Sequence, residues 1–194
     1  SNARMQANFS EELAEILRPQ WSFFLDDAQS REYVILFAPG WLYLSDPTTG
    51  ADFLKQREIL DRMGIQTGLI ETAESGSVEH NAEIIAAEIM LRGTEKEKLI
   101  LVSASKSGAE VAFALGAYLT SAQTTHVHAW VNVGGVIQGT QLAVTAMDWP
   151  QWWGLYLYFW WKEWDVSGLA SMTTNIRRAS YAYIHIPDNI LVVN

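Results

Sequence analysis

The chain of 194 residues contains no cysteine. That removes disulfides, thiolate metal sites and a cysteine nucleophile, and it leaves the redox compartment undecided. Basic residues are few: 13 Lys and Arg stand against 22 Asp and Glu, giving a formal net charge of −9. With no basic cluster among them, nucleic acid is not an expected partner. No apolar run approaches the roughly 20 residues that a membrane-spanning helix needs. The four histidines and the carboxylates form no array with metal-ligand spacing, so neither a metal site nor a cofactor is expected.

What is present points to a globular domain. Apolar residues make up 49% of the chain and charged residues 18%, enough apolar material for one sizeable core. Ser1-Asn2-Ala3 reads as the remnant of a cleaved tag and is set aside. An export signal ahead of Arg4 stays open, so the expected location is soluble, either cytoplasmic or exported. Ser10 caps a short expected helix over 11–17 that Pro19 ends. From there strands and helices alternate. Strands are expected at 33–37, 65–71, 99–103 and 126–133. Helices are expected at 51–63 with Gly64 as cap, from a cap at Ser77 or Ser75 to about 91 with Gly93 ending it, and at 108–119. Such alternation predicts an α/β fold: a mostly parallel sheet with flanking helices, with ligands gathering at the carboxyl ends of the strands.

The third strand carries the most informative local pattern. An apolar run, Leu99-Ile100-Leu101-Val102, enters Ser103-Ala104-Ser105-Lys106-Ser107-Gly108, and a helical pattern follows. Strand, sharp turn and helix with a serine at the tip is the layout of a nucleophile elbow. The usual glycines two positions either side of the serine are Ser103 and Ser107 here, and both are small enough for a crowded turn. A serine hydroxyl needs a base and donors for the oxyanion that forms on attack. The backbone N–H of Lys106 is one candidate donor, and that of Trp41, in the Pro39-Gly40-Trp41 turn after the first strand, is the other. Gly40 would let that backbone approach closely. The Lys106 side chain is expected to point to solvent.

Three segments in this order resemble the α/β-hydrolase superfamily: Phe37-Ala38-Pro39-Gly40-Trp41 as oxyanion turn, Val102 to Gly108 as elbow, and Val131-Asn132-Val133-Gly134-Gly135 as the next strand end. The resemblance spans roughly residues 31–145 and implies a serine hydrolase of ester or other acyl bonds with Ser105 as nucleophile. It also implies an acid and then a histidine on later loops, and these are expected beyond Asn194. His185 is the one internal alternative for the base. His80, His126 and His128 read as surface or partly buried residues.

Six of the nine tryptophans fall in 138–188, which interrupts the alternation and reads as an aromatic-rich helical lid inserted in the fold. The expected domain layout is therefore a core over 4–137, the lid over 138–188 and a returning core strand over 189–194. Trp149, Trp153, Tyr156 and Trp160 recur at helical spacing and are the candidate substrate-binding face, lining an apolar acyl pocket. A homodimer contact through the remaining aromatics is the second use of the segment. Glu110 reads as a solvated or paired helix residue, and Arg177-Arg178 as a surface pair. A thioesterase-like role is not separable from an esterase here. A non-catalytic hydrolase-like binding protein is the alternative from another class.

Overall fold

In the computed structural model the described residues are 32–147, 162 and 164–194. Five strands form one sheet: β1 (Tyr33–Ala38), β2 (Gln66–Leu69), β3 (Lys98–Ala104), β4 (Val127–Val133) and β5 (Leu191–Val193). All pairings are parallel and the order across the sheet is β2-β1-β3-β4-β5. Parallel neighbours require crossovers. These contain α1 (Leu54–Arg62) between β1 and β2, α2 (Val78–Thr94) between β2 and β3, and α3 (Lys106–Phe113) between β3 and β4. After β4 come α4 (Gln141–Ala146), α5 (Ser167–Ser171) and α6 (Thr174–Tyr181).

The main core lies where α2 and α3 cover one face of the sheet. Leu36, Leu99, Leu101, Val127 and Trp130 meet Ile85, Ile89, Val111 and Leu115 there, all buried. Along β3 burial alternates: Leu99, Leu101 and Ser103 are fully buried while Ile100, Val102 and Ala104 are half-buried, as the two-residue period of a strand dictates. A second cluster of Val78, Ala109, Ala143, Leu169 and Met172 joins α2 and α3 to α4 and α5, with Trp41 packed against it.

Three boundaries differ from the sequence reading, each for a visible reason. Helix α1 begins at Leu54 and not at 51, because the Ala51 carbonyl is taken by the Gly40 N–H at 2.8 Å. Helix α2 runs through Gly93. A Cβ there would sit 2.6 Å from the His126 ring, so this glycine makes room for His126 instead of capping the helix. After Phe113, α3 widens into a π turn over Ala114–Tyr118, where Gly116 lies against the backbone of His185.

The strand order has one consequence for function. From β1 the chain steps outward to β2, then crosses back to place β3 on the other side of β1. The loops after β1 and β3 therefore diverge, and a crevice opens between them at the switch point.

Candidate active site

Both segments singled out in the sequence flank that crevice. Ala38, the last residue of β1, pairs with Ser103 near the end of β3. Pro39-Gly40-Trp41 follows the one strand and Ser105 the other. Ser105 is exposed, and its backbone adopts φ 55 and ψ −124, a conformation that L residues avoid. Such a residue costs on the order of 1–3 kcal/mol and persists only where its surroundings impose it.

Those surroundings are specific. The Ser105 carbonyl accepts from the Gly108 N–H at 3.2 Å and from the Val136 N–H, in the loop after β4, at 2.9 Å. Ser107 is completely buried. Its hydroxyl accepts from the Ala104 N–H at 2.9 Å and lies 2.8 Å from the Ala38 carbonyl, so it ties the elbow to the end of β1. Ser103, also completely buried, accepts from the Trp130 indole at 2.8 Å and donates to Asn132 Oδ1 at 3.2 Å. The two serines that stand where glycines are usual thus act as hydrogen-bonding ties as well as small fillers. The sequence pattern shows their size but not their partners, which come from β1 and β4.

Glycines permit the close approach on the far side of the elbow. A Cβ on Gly108 would lie 2.5 Å from Asn132 Oδ1 and 2.8 Å from the Gly135 Cα, and one on Gly135 would lie 2.0 Å from Asn132 Oδ1. Asn132 is held there by Ser103 and by its own donation to Asn194 Oδ1 at 3.0 Å. Gly108→Ala is expected to destabilise the fold by about 1–3 kcal/mol, since one of the clashing atoms is backbone. Chemical denaturation of the variant measures this, and a cost near zero would contradict the packing described.

Lys106 corrects the sequence reading. Its side chain does not point to solvent. It is 1% exposed and ion-paired with Glu110, which is equally buried. Glu110 Oε1 also accepts from Asn81 Nδ2 at 2.8 Å, whereas its Oε2 is buried with no hydrogen-bond partner among the described residues. Burial pushes the Glu110 carboxyl above its usual range, against the lowering effect of Lys106 and Asn81. Arg177 is the second correction. It is 1% exposed, paired with Glu79 and stacked 5.3 Å from the Phe113 ring centroid, so only Arg178 of that pair is at the surface.

In the turn after β1, Gly40 is buried, and a Cβ there would lie 3.2 Å from Ala51 Cβ and 3.8 Å from the Ala104 carbonyl. Its N–H is committed to Ala51, so Gly40 acts as a spacer and not as a donor. Trp41 opens the next turn, with its ring half-buried. The other four candidate site residues, Trp149, Trp153, Tyr156 and Trp160, lie outside the described residues.

None of the four histidines is brought to Ser105. Val127 pairs with Leu99 and Val133 with Ala104, so His126 and His128 sit at the opposite end of the sheet, roughly 20 Å from the elbow by strand rise. His126 bonds the Ile89 carbonyl at 2.8 Å, and His128 meets the Tyr33 ring edge to face. His185 lies against Gly116, beyond the far end of α3, and is exposed beside Asp188 at 3.6 Å. His80 is exposed at the start of α2, while its neighbour Asn81 faces inward.

No family model matches the chain, and no curated protein matches it. Solved structures do. A metagenomic carboxyl esterase superposes with a TM-score of 0.65 at 24% identity, over 84% of this chain and 49% of its own. The mature form of a Bacillus licheniformis lipase gives 0.60 at 19% identity, over 86% of this chain and 66% of the lipase. The chain has the α/β-hydrolase fold. It spans about half the length of the esterase and 66% of the mature lipase. In this α/β-hydrolase fold Ser105 occupies the strand-to-helix turn after the central strand, at the carboxyl edge where such sheets hold ligands.

Proposed function

We propose that the protein is a serine hydrolase of carboxylic esters or related acyl bonds. The observation that carries this is the geometry of Ser105: an exposed serine at φ 55, held on a tip by buried ties from β1, β4 and the loop beyond it. The esterase and lipase among its structural neighbours support the same reading.

In this reading Ser105 Oγ bonds to the acyl carbon while its proton passes to a base. The carbonyl oxygen becomes an oxyanion that accepts from the N–H groups of Lys106 and Trp41. Collapse expels the alcohol, which takes the proton back, and water then releases the acid by the reverse sequence. The four histidines lie elsewhere, and both neighbours are longer than this chain. We therefore assign the base and its carboxylate to residues following Asn194. The apolar acyl group is assigned to the tryptophan-rich segment, through Trp149, Trp153, Tyr156 and Trp160.

The test is labelling of the full-length protein with a fluorophosphonate, with the modified peptide mapped by mass spectrometry. Modification of Ser105, together with faster hydrolysis of p-nitrophenyl esters carrying longer acyl chains, is the expected result. A folded full-length protein that neither labels nor hydrolyses would leave the hydrolase-shaped binding protein as the better reading.

A further inference from the structure

The donors proposed for the oxyanion come from two separate loops, so their spacing depends on what holds those loops together. The elbow is fixed from several sides, as described above. Among the described residues the turn over residues 41–45 takes several of its bonds from the loop between β2 and α2, beside one from the Trp164 indole, which donates to the Ser45 hydroxyl at 3.2 Å. The Leu42 N–H donates to the Glu74 carbonyl at 3.0 Å. The Glu74 carboxylate accepts from the Ser45 N–H at 2.8 Å and from the Ser45 hydroxyl at 2.7 Å. Between them, the Tyr43 hydroxyl donates to the Thr72 carbonyl at 3.0 Å. The turn also carries strain: Leu42, directly after Trp41, has φ 56. A leucine in the left-handed region relaxes elsewhere unless it is held.

The loop that holds the turn is itself anchored beside the nucleophile. Asn81 accepts from the Ala73 N–H at 3.1 Å and donates to the Ala73 carbonyl at 2.9 Å. The same amide reaches Glu110 Oε1 on the elbow helix at 2.8 Å. A continuous path of bonds thus runs from α3 through Asn81 and Ala73 to Glu74, and from Glu74 to both ends of the strained turn.

We propose that Glu74 is a positioning residue: it sets the Trp41 backbone opposite Ser105, and with it the spacing of the two oxyanion donors. The proposal rests on the hydrolase reading above. Misplacing a reacting or stabilising group by about 1 Å costs on the order of 100-fold in rate. A loosened donor acts on the transition state, where the charge has formed, more than on bound substrate.

The experiment uses the full-length protein with Glu74→Ala, Glu74→Gln and Ser45→Ala. Each is assayed on a p-nitrophenyl ester, titrated for active sites with the fluorophosphonate, and inhibited by a trifluoromethyl ketone of the same acyl group, which places an oxyanion in the hole. Glu74→Ala is expected to lower kcat per labelled site about 10- to 100-fold with KM within about twofold, and to raise the ketone Ki in proportion. Glu74→Gln keeps an acceptor for one Ser45 donor and falls between. Ser45→Ala keeps the N–H bond to Glu74 and loses less, which preserves the test should Glu74→Ala fold poorly. An unchanged kcat per labelled site, or a ketone Ki unmoved in all three variants, overturns the role of Glu74 while leaving the hydrolase intact. A wild-type protein that does not label at Ser105 overturns both.

Discussion

Replacing Ser105 by alanine is expected to abolish fluorophosphonate labelling and to lower ester hydrolysis on the order of 10⁶-fold, about 8 kcal/mol of transition-state stabilisation. Alanine removes the side-chain oxygen that would attack the acyl carbon and keeps the Ser105 backbone. Stability should hardly change, because Ser105 is exposed and its backbone bonds to Gly108 and Val136 do not involve the hydroxyl. Ser105→Gly sharpens the point. Glycine adopts φ 55 without a Cβ clash, so this variant should be as inactive as Ser105→Ala and about 1 kcal/mol more stable than it. Activity retained in either variant would remove Ser105 from the chemistry. Equal stability of the two would mean that the turn carries no strain.

Much of the fold follows from patterns within single segments. The apolar run of β3, the small residues around Ser105 and the helix after it could be read locally, as could the alternation that predicts a mostly parallel sheet; the order that puts β1 beside β3 was not part of that reading. Ser77 and Ser75 were both readable as the cap of α2, and it is the Ser77 hydroxyl that accepts from the His80 N–H at 3.2 Å. What escaped reading depends on residues far away in the chain. Arg177 is buried because Glu79 and Phe113 meet it from α2 and α3, and no local pattern announces a partner 98 positions earlier. Gly93 looks like a cap until His126 is seen against it. Glu74 sits in a loop, and its two bonds to Ser45 span 29 positions. The Lys106–Glu110 pair was different, because a signal was available. Lysine and glutamate four apart read as an exposed pair on a helix. Yet their neighbours Ser107, Gly108, Ala109, Val111 and Ala112 leave that helix no polar face, and a helix apolar all round is a buried one.

That buried pair makes the second large effect. Removing one member strands the other charge in the core, and such changes cost about 3–5 kcal/mol. Glu110→Leu leaves the Lys106 ammonium without its partner and takes an acceptor from Asn81, so a Tm loss of roughly 10 °C is expected for a chain of this size. Lys106→Met should cost less, because the carboxyl it leaves behind is already inclined to keep its proton. The double variant Lys106→Met/Glu110→Leu should recover most of the loss, since two apolar side chains need no partner. The pH dependence follows from the raised Glu110 pKa. The folded state then binds more protons than the unfolded chain between the ordinary carboxylate pKa and the higher folded one. Its contribution is therefore complete below the ordinary value and is lost as pH rises through the folded value. In Lys106→Met no cation opposes this, so stability should fall more steeply with rising pH than in the wild type, and in the double variant that slope should vanish. Urea unfolding of the four proteins from acid to neutral pH measures all of this. Additive single costs in the double variant, or a slope that rises with pH in Lys106→Met, would mean that the two side chains do not share one buried site.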